Sequence, residues 1–152
     1  MAVDTSRDLV TILGTLVDIE SVSGNEARIA DEVEQTLRGL EHLEVTRNGN
    51  AVIARTNLGR PERVVIAGHL DTVPLADNLP SWLGQVDGVD VMFGRGTCDM
   101  KGGVAVALKA AVEITEPVRD VTWIFYDNEE VDSAVNGLGR IFREQPDLLA
   151  GD

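Results

Sequence analysis

Hydrophobic side chains in the first forty residues recur at the spacing of helices that pack through one face. Between Thr5 and Glu20 the apolar residues fall three or four positions apart, and a short polar break then ends the pattern. The same spacing returns from about Glu26 to Leu40, with Asn25 in position to cap that segment. Two helices are therefore predicted in this part of the chain.

The pattern then changes to short runs typical of strands. Residues 42–47 and 51–56 flank Asn48-Gly49, a dipeptide that strongly favours a two-residue hairpin. Residues 63–67 and 121–126 are almost continuously apolar, which is expected of strands buried on both faces. Four strands are predicted from these runs.

The segment between the two apolar strands predicts a crossover connection. An irregular stretch at residues 74–97 precedes an Ala/Val-rich helix from about Gly102 to Thr115. A last helix is expected at about residues 132–144, closed by Pro146. Strand, helix and strand in this order predict an α/β fold, a three-layer α/β/α domain with a mixed, mostly parallel sheet. Ligands of such a sheet are expected at the carboxyl ends of its strands.

Composition and charge exclude several classes of function. The formal charge of −13 comes from 13 basic and 26 acidic residues, and a field of that sign repels phosphate backbones, so no nucleic-acid partner is expected. No apolar run approaches the ~20 residues that span a bilayer, and the first residues lack a secretory signal. The lone Cys98 excludes an internal disulfide. A cytoplasmic protein without a membrane partner is expected.

The first cluster of candidate functional residues follows the strand at residues 63–67. Side chains alternate along an extended segment, so His69 and Asp71 point to the same side. His69 is then a candidate metal ligand, and Asp71 is a candidate carboxylate that orients the imidazole and raises its basicity. The alternative is a polar strand end with no metal.

The second cluster surrounds Asp99, which lies among glycines just before the helix predicted at Gly102. An ionised carboxylate has two acceptor oxygens and can bridge two cations, or it can simply cap the helix. The neighbouring Cys98 is not taken as a ligand, because a small buried thiol is the commoner state and the chain has no second cysteine.

The third cluster, residues 127–131, follows the most hydrophobic strand. Adjacent glutamates repel each other unless cations or protons intervene. Consecutive side chains diverge, so Glu130 can bind a metal while Glu129 serves as general base toward the attacking water. An acidic helix N-terminus is the alternative. Together the three clusters predict a two-metal hydrolytic centre with nitrogen and oxygen ligands, which suits two Zn²⁺ ions, with Co²⁺ or Mn²⁺ as substitutes.

These residues resemble a known signature. The His69-Leu-Asp71 triplet, Asp99 followed by Met-Lys-Gly-Gly, and the Glu129-Glu130 pair are similar to those of the co-catalytic zinc aminoacylase/carboxypeptidase family. Residues 48–55, 68–74, 125–130 and 136–140 resemble most the succinyl-diaminopimelate desuccinylase branch of actinobacteria.

The resemblance implies specific roles. His69 and Glu130 would bind separate zinc ions, Asp99 would bridge them, and Asp71 would orient His69. Glu129 would take a proton from the water that attacks the succinyl amide and pass it to the leaving amine. The reaction implied is hydrolysis of N-succinyl-LL-2,6-diaminopimelate to succinate and LL-2,6-diaminopimelate, a step of lysine and diaminopimelate biosynthesis with a small-molecule substrate.

The chain departs from that family in length. Members are more than twice as long, and they carry further metal ligands and a second, dimer-forming domain beyond the point where residue 152 lies. Residues 1–152 are therefore expected to be the N-terminal part of the catalytic domain, poorly active alone, with a homodimer expected for the full-length form. The residues that bind substrate are not predicted. His42 is expected to be a surface residue rather than a replacement ligand.

Two other functions remain open from the sequence. A sister activity on the same scaffold, acetylornithine deacetylation or dipeptide hydrolysis, would use the same metal motifs. A non-catalytic metal-binding fragment would keep the ligands but would not need Glu129 as a base. A purely structural acidic domain would leave all three polar clusters without a role.

Overall fold

The computed structural model describes residues 2–151 and contains an α/β domain. In chain order its helices and strands are α1 (Leu9–Val17), α2 (Ala27–Leu37), β1 (Glu44–Asn48), β2 (Ala51–Arg55), β3 (Arg63–His69), β4 (Trp82–Val86), β5 (Val89–Phe93), α3 (Gly102–Glu113), β6 (Asp120–Tyr126) and α4 (Gly137–Glu144). In residues 2–151 no helix has the length and apolar character needed to cross a membrane. Every predicted helix and strand is present, although the helices are shorter than predicted.

The larger sheet has the order β1-β2-β6-β3. The β1–β2 and β2–β6 pairs are antiparallel, whereas β3 and β6 run parallel and are joined through α3. The predicted crossover is therefore confirmed. The predicted hairpin is also present, although its two turn residues are Gly49 and Asn50, because Asn48 ends β1 and pairs with Ala51. The sheet is mixed, but the expectation that it is mostly parallel is wrong for the described strands, because the β1–β2 hairpin joins β6 in the antiparallel direction.

The two strands predicted to be buried on both faces differ in their surroundings. In β6 every residue except Tyr126 is buried, which confirms the prediction for this strand. In β3, Val64 and Ile66 are each 41% exposed, so the prediction is wrong there. The reason is position, because β3 lies at the edge of the described sheet, where it has only β6 as a neighbour.

The prediction that residues 74–97 are irregular is wrong in part, because this segment contains the β4–β5 hairpin. Asp87 and Gly88 both have positive φ at its turn, and Trp82 stacks on Phe93 with ring centroids 4.0 Å apart. Asp-Gly between apolar runs is a recognised hairpin signal, so the sequence did contain the information.

The three layers predicted from the sequence are present. Helices α1, α2 and α3 pack on one face of the sheet around a cluster that includes Trp123 and Phe125. The α4 helix packs on the other face through Ile141, against Ile53 and Ile124. Asn25 does not cap α2 as predicted. Glu26 occupies that position, and its side chain makes no capping hydrogen bond to the helix.

At the start of β6 a buried carboxylate holds the preceding loop, which gives a stability prediction. Asp120 is 3% exposed and accepts hydrogen bonds from Thr56 Oγ1 at 2.7 Å and from the backbone N–H groups of Leu58 and Arg60, each at 2.9 Å. Burial alone would raise the pKa of Asp120, but these hydrogen bonds and the charge of Arg63 outweigh it and lower the pKa to about 2.

We therefore expect Asp120→Asn to destabilise the fold at pH 7 by on the order of 1–3 kcal/mol, because the amide cannot accept hydrogen bonds at both ends. Since the folded pKa lies below the usual 3.8, this stabilisation is complete above about pH 4 and is lost as the pH falls toward 2. Urea unfolding at pH 7 and at pH 2–4 measures both effects. Asp147→Asn, at an exposed position, is the control. Equal losses for the two variants would contradict the prediction.

Candidate metal centre

The three polar clusters meet at one end of the β3–β6 pair. His69 is the last residue of β3 and lies opposite Tyr126, the last residue of β6, so residues 127–130 follow directly beside it. Asp99 comes from the turn that leads into α3. Adjacent parallel strands end at the same edge of a sheet, which is why residues 30 and 60 positions apart share one site.

The donor atoms converge closely. Ligand atoms of His69, Glu129 and Glu130 lie within 4.8 Å of one another, and Asp99 Oδ1 lies 3.0 Å from His69 Nε2. His69 is buried, while the side chain of Asp99 is 75% exposed and faces solvent. One imidazole and three carboxylates at the carboxyl ends of these strands form a donor set that fits divalent cations such as Zn²⁺.

The backbone around Asp99 is unusual. Gly96 has a φ of +82°, and a Cβ at this position would lie 2.8 Å from Thr72 Cγ2, so both conformation and space favour glycine. The Asp99–Met100 peptide bond is cis. The left-handed backbone at Gly96 lies shortly before Asp99, whose Oδ1 comes within 3.0 Å of His69 Nε2 before α3 begins. The glycine density noted in the sequence therefore does reflect a constrained turn.

Asp71 makes contacts that the sequence did not reveal. It is fully buried, and its Oδ1 and Oδ2 accept hydrogen bonds from the backbone N–H groups of Glu129 and Glu130 at 2.9 and 3.0 Å. His69 Nδ1 lies 3.0 Å from the backbone oxygen of Asp71 and 3.4 Å from its Oδ1. Asp71 thus lies close to the ring of His69, as the alternation of side chains predicts, and it also anchors the segment that carries both glutamates.

The charges in the cluster shift the protonation equilibria. Burial opposes the charged form of His69, but hydrogen bonds to Asp71 and Asp99 outweigh it and raise the pKa of His69 to about 9. Burial would raise the pKa of Asp71, yet hydrogen bonds from His69, Ser23 and the backbone hold it well below its usual range. Burial and the nearby Asp99 raise the pKa of Glu130. A cation that binds here must displace the proton on His69, so protons and metal compete for the site.

An open pocket of about 380 Å³ lies beside the cluster. Its lining comprises Thr72, Val73, Gly94, Arg95, Gly96, Thr97, Cys98, Asp99 and Glu130. Cys98 is exposed, so the expectation of a buried thiol is wrong. The pocket is small and open to solvent, and its lining includes Asp99 and Glu130, which suits a polar ligand.

Two further charged side chains support the site from outside it. Lys101 is 1% exposed, and its Nζ donates to the backbone oxygen of Ile19 at 2.7 Å, which ties the Asp99 turn to the end of α1. Arg140 in α4 donates to both carboxylate oxygens of Asp127, at 3.1 and 2.6 Å. Lys101 belongs to the motif that begins at Asp99, but its burial depends on contact with the end of α1 and could not be inferred from spacing.

The other histidine is not part of the centre. His42 precedes β1, is half-buried, and its Nε2 lies 2.9 Å from the backbone oxygen of Ala111 in α3. It is therefore not the surface residue that was expected, because α3 packs beside it. It does not belong to the group of His69, Glu129 and Glu130.

Comparisons with known proteins agree with this geometry. Residues 65–151 match the model of peptidase family M20/M25/M40. The chain is 53% identical over 150 residues to a Mycobacterium tuberculosis protein named "Putative succinyl-diaminopimelate desuccinylase DapE", and 49% identical over 154 residues to the succinyl-diaminopimelate desuccinylase of Corynebacterium glutamicum. Each match covers 98% of this chain and 41% of the relative, so the chain spans about two fifths of their length.

Among solved structures, an M20 family metallo-carboxypeptidase from Sulfolobus solfataricus matches with a TM-score of 0.74 at 19% identity. The match covers 96% of this chain and 36% of that protein. At this identity the likeness concerns the fold alone. It shows that the described α/β arrangement is also present in part of that longer protein.

Proposed function

Because the chain belongs to peptidase family M20/M25/M40, a family of hydrolases, we propose that it supplies the N-terminal part of the metal centre of a succinyl-diaminopimelate desuccinylase. The reaction would be hydrolysis of N-succinyl-LL-2,6-diaminopimelate to succinate and LL-2,6-diaminopimelate. The identities of 53% and 49% to proteins of that name, over nearly the full chain, support this substrate class above others in the family.

The convergence of His69, Asp99, Glu129 and Glu130 is the observation that carries the proposal. His69 and Glu130 would each hold one of two Zn²⁺ ions, with Co²⁺ or Mn²⁺ as substitutes, and Asp99 would bridge them. The position of Asp99 supports this role, because its side chain is 75% exposed and its Oδ1 lies 3.0 Å from His69 Nε2, so its two oxygens are accessible to two ions. When bound, the ions would polarise the scissile carbonyl and make water a better nucleophile.

The chain's own residues would handle the proton. Glu129 is exposed, and its backbone N–H donates to Asp71. Its carboxylate lies within 4.8 Å of ligand atoms of His69 and Glu130 and forms no side-chain ion pair among the described residues. We assign it the role of general base, which takes a proton from the attacking water and delivers it to the leaving amine. Asp71 would fix the ring of His69 and the backbone of both glutamates at the same time.

The activity is proposed for a protein longer than this chain. Since residues 1–152 span about two fifths of the curated relatives, the remaining ligands, the substrate-binding residues and a dimer-forming domain would be supplied by further sequence. We propose that residues 1–152 alone bind metal weakly and turn over little substrate, and that the longer form is a homodimer acting on a small molecule.

A comparison of substrates tests the proposed reaction. For a full-length protein containing this segment, we expect kcat/KM for N-succinyl-LL-2,6-diaminopimelate to exceed that for N-acetylornithine or a dipeptide by about 100-fold or more. The reason is that polar groups of the site that bind the succinyl carboxylate would have no partner when the substrate carries an acetyl group. Removal of metal with a chelator should abolish turnover, and added Zn²⁺ should restore it. Equal or better turnover of the acetylated substrate would instead assign the sister activity.

A further inference from the structure

The segment between α1 and α2 lies against the chain just beyond β3. Ser21 Oγ donates to the backbone oxygen of Leu70 at 2.8 Å, and its own backbone oxygen accepts from the N–H of Thr72 at 2.9 Å. The N–H of Ser23 in turn donates to the oxygen of Thr72 at 3.1 Å. This segment therefore runs beside residues 70–72 and forms an isolated parallel bridge between Val22 and Thr72.

Ser23 reaches Asp71 directly. Its Oγ donates to Asp71 Oδ2 at 2.7 Å, the same oxygen that accepts the backbone N–H of Glu130 at 3.0 Å. The hydroxyl thus holds the carboxylate in the orientation in which each of its oxygens meets one backbone N–H of the Glu129-Glu130 pair.

Glu26 reaches the same loop one residue earlier. It is fully buried, and its Oε1 accepts hydrogen bonds from the N–H of Gly24 at 2.8 Å and from the N–H of Asn128 at 3.3 Å. Its Oε2 has no hydrogen-bond partner within the described chain. A buried side-chain oxygen without a hydrogen-bond partner destabilises the folded state. Stability alone therefore does not explain a glutamate at position 26, whereas its contact with the loop at Asn128 does.

Three consecutive backbone N–H groups, those of residues 128, 129 and 130, are thus accepted by two buried carboxylates, Glu26 and Asp71. Asn128 has a φ of +58°, in the left-handed region that non-glycine residues seldom occupy. Asparagine adopts this conformation more readily than most other non-glycine residues, and the hydrogen bonds to the two carboxylates hold the loop in it.

We propose that Ser23 and Glu26 are positioning residues that hold the Glu129-Glu130 loop against His69. The inference rests on the proposed function, since it takes Glu130 as a metal ligand and Glu129 as the base. Ser23 acts through Asp71, and Glu26 acts through the backbone of Asn128. Neither side chain needs to touch the metal or the substrate.

The test uses the 152-residue chain with Glu26→Gln and Ser23→Ala, and Val33→Ala as the matched control. Val33 is fully buried in α2, so its truncation loosens the same helix without touching the loop. Amide hydrogen exchange at residues 128–130 and Co²⁺ affinity are measured, together with the absorption spectrum of the Co²⁺ form. We expect Glu26→Gln and Ser23→Ala to speed exchange about tenfold or more and to weaken Co²⁺ binding roughly 10- to 100-fold, the range for partners that orient ligands.

Ser23→Thr keeps the hydroxyl and should show the wild-type exchange rate and Co²⁺ affinity. Val33→Ala should also leave both quantities unchanged, even if it lowers the melting temperature as much as Glu26→Gln or Ser23→Ala does. The positioning role is overturned if exchange at residues 128–130 stays at the wild-type rate in Glu26→Gln and Ser23→Ala, or if Val33→Ala alters it equally. If the wild-type 152-residue chain binds Co²⁺ too weakly to titrate, the affinities are measured in a full-length protein that contains this segment. No Co²⁺ binding there would count against the proposed metal centre alone, because the exchange rates would still decide whether Ser23 and Glu26 hold the loop.

Discussion

In a full-length protein containing this segment, Glu129→Gln is expected to lower kcat by about 10²- to 10⁴-fold, the usual contribution of a general base. The amide keeps the size of the side chain and leaves the backbone hydrogen bond to Asp71 in place, but it cannot take a proton. Metal content should stay at the wild-type level, because His69, Asp99 and Glu130 are unchanged. Steady-state kinetics together with metal analysis of the same preparation measure both quantities.

The neighbouring Glu130→Gln serves as the contrast. Its amide lacks the charge needed to hold a divalent cation, so this variant should lose metal and activity together. The two glutamates are adjacent and both belong to the converging group, so distance alone does not separate their roles. Metal loss in Glu129→Gln with retention in Glu130→Gln would reverse the assignment of base and ligand.

His69→Ala is expected to weaken Zn²⁺ binding to the metal-stripped chain by at least about 100-fold, the upper end of the loss seen for partners that merely orient ligands. His69 is the single nitrogen donor of the group, and it lies 3.0 Å from Asp99, so its removal leaves only carboxylates to hold the ion. Calorimetric titration at pH 7 gives the affinity and the number of ions bound.

His42→Ala is the matched control, because it removes the other histidine of the chain. The ring of His42 forms a hydrogen bond with the backbone oxygen of Ala111 in α3 and is not part of the candidate metal centre. Its Zn²⁺ affinity should equal that of the wild type, even if the fold is slightly destabilised. Wild-type binding by His69→Ala, or an equal loss in His42→Ala, would remove His69 from the centre. Asp99→Asn should weaken binding as His69→Ala does, because a bridging role needs two charged oxygens.

Local patterns were sufficient for the elements and for the chemistry. The spacing and the length of the apolar runs predicted four helices and four strands within a few positions, because these patterns reflect which faces an element buries. The elements are α1, α2, β1, β2, β3, α3, β6 and α4. The candidate ligands were recognised because polar residues follow directly after apolar strands, which in an α/β sheet is where ligands bind. The family followed from the same residues.

Other features depend on long-range contacts and were decided only by the tertiary structure. The apolar run that contains Val64 and Ile66 predicts a strand buried on both faces. Both side chains are exposed, because the strand order places β3 at the edge of the described sheet. Cys98 read as a buried thiol, but the turn around Asp99 exposes it. In each case the residue type predicted a preference for burial, while the neighbouring elements determined whether the side chain is buried or exposed.

The division is clearest at the metal centre. The sequence by itself predicted His69, Asp99 and Glu130 as metal ligands and Glu129 as the general base, because residue type and the end of a strand are local properties. Only the tertiary structure showed that Asp71 holds the backbone of both glutamates and that Ser23 and Glu26 brace the same loop. Those contacts join segments 48 to 102 positions apart, and no spacing along the chain encodes a hydrogen bond between residues that meet only once the sheet has formed.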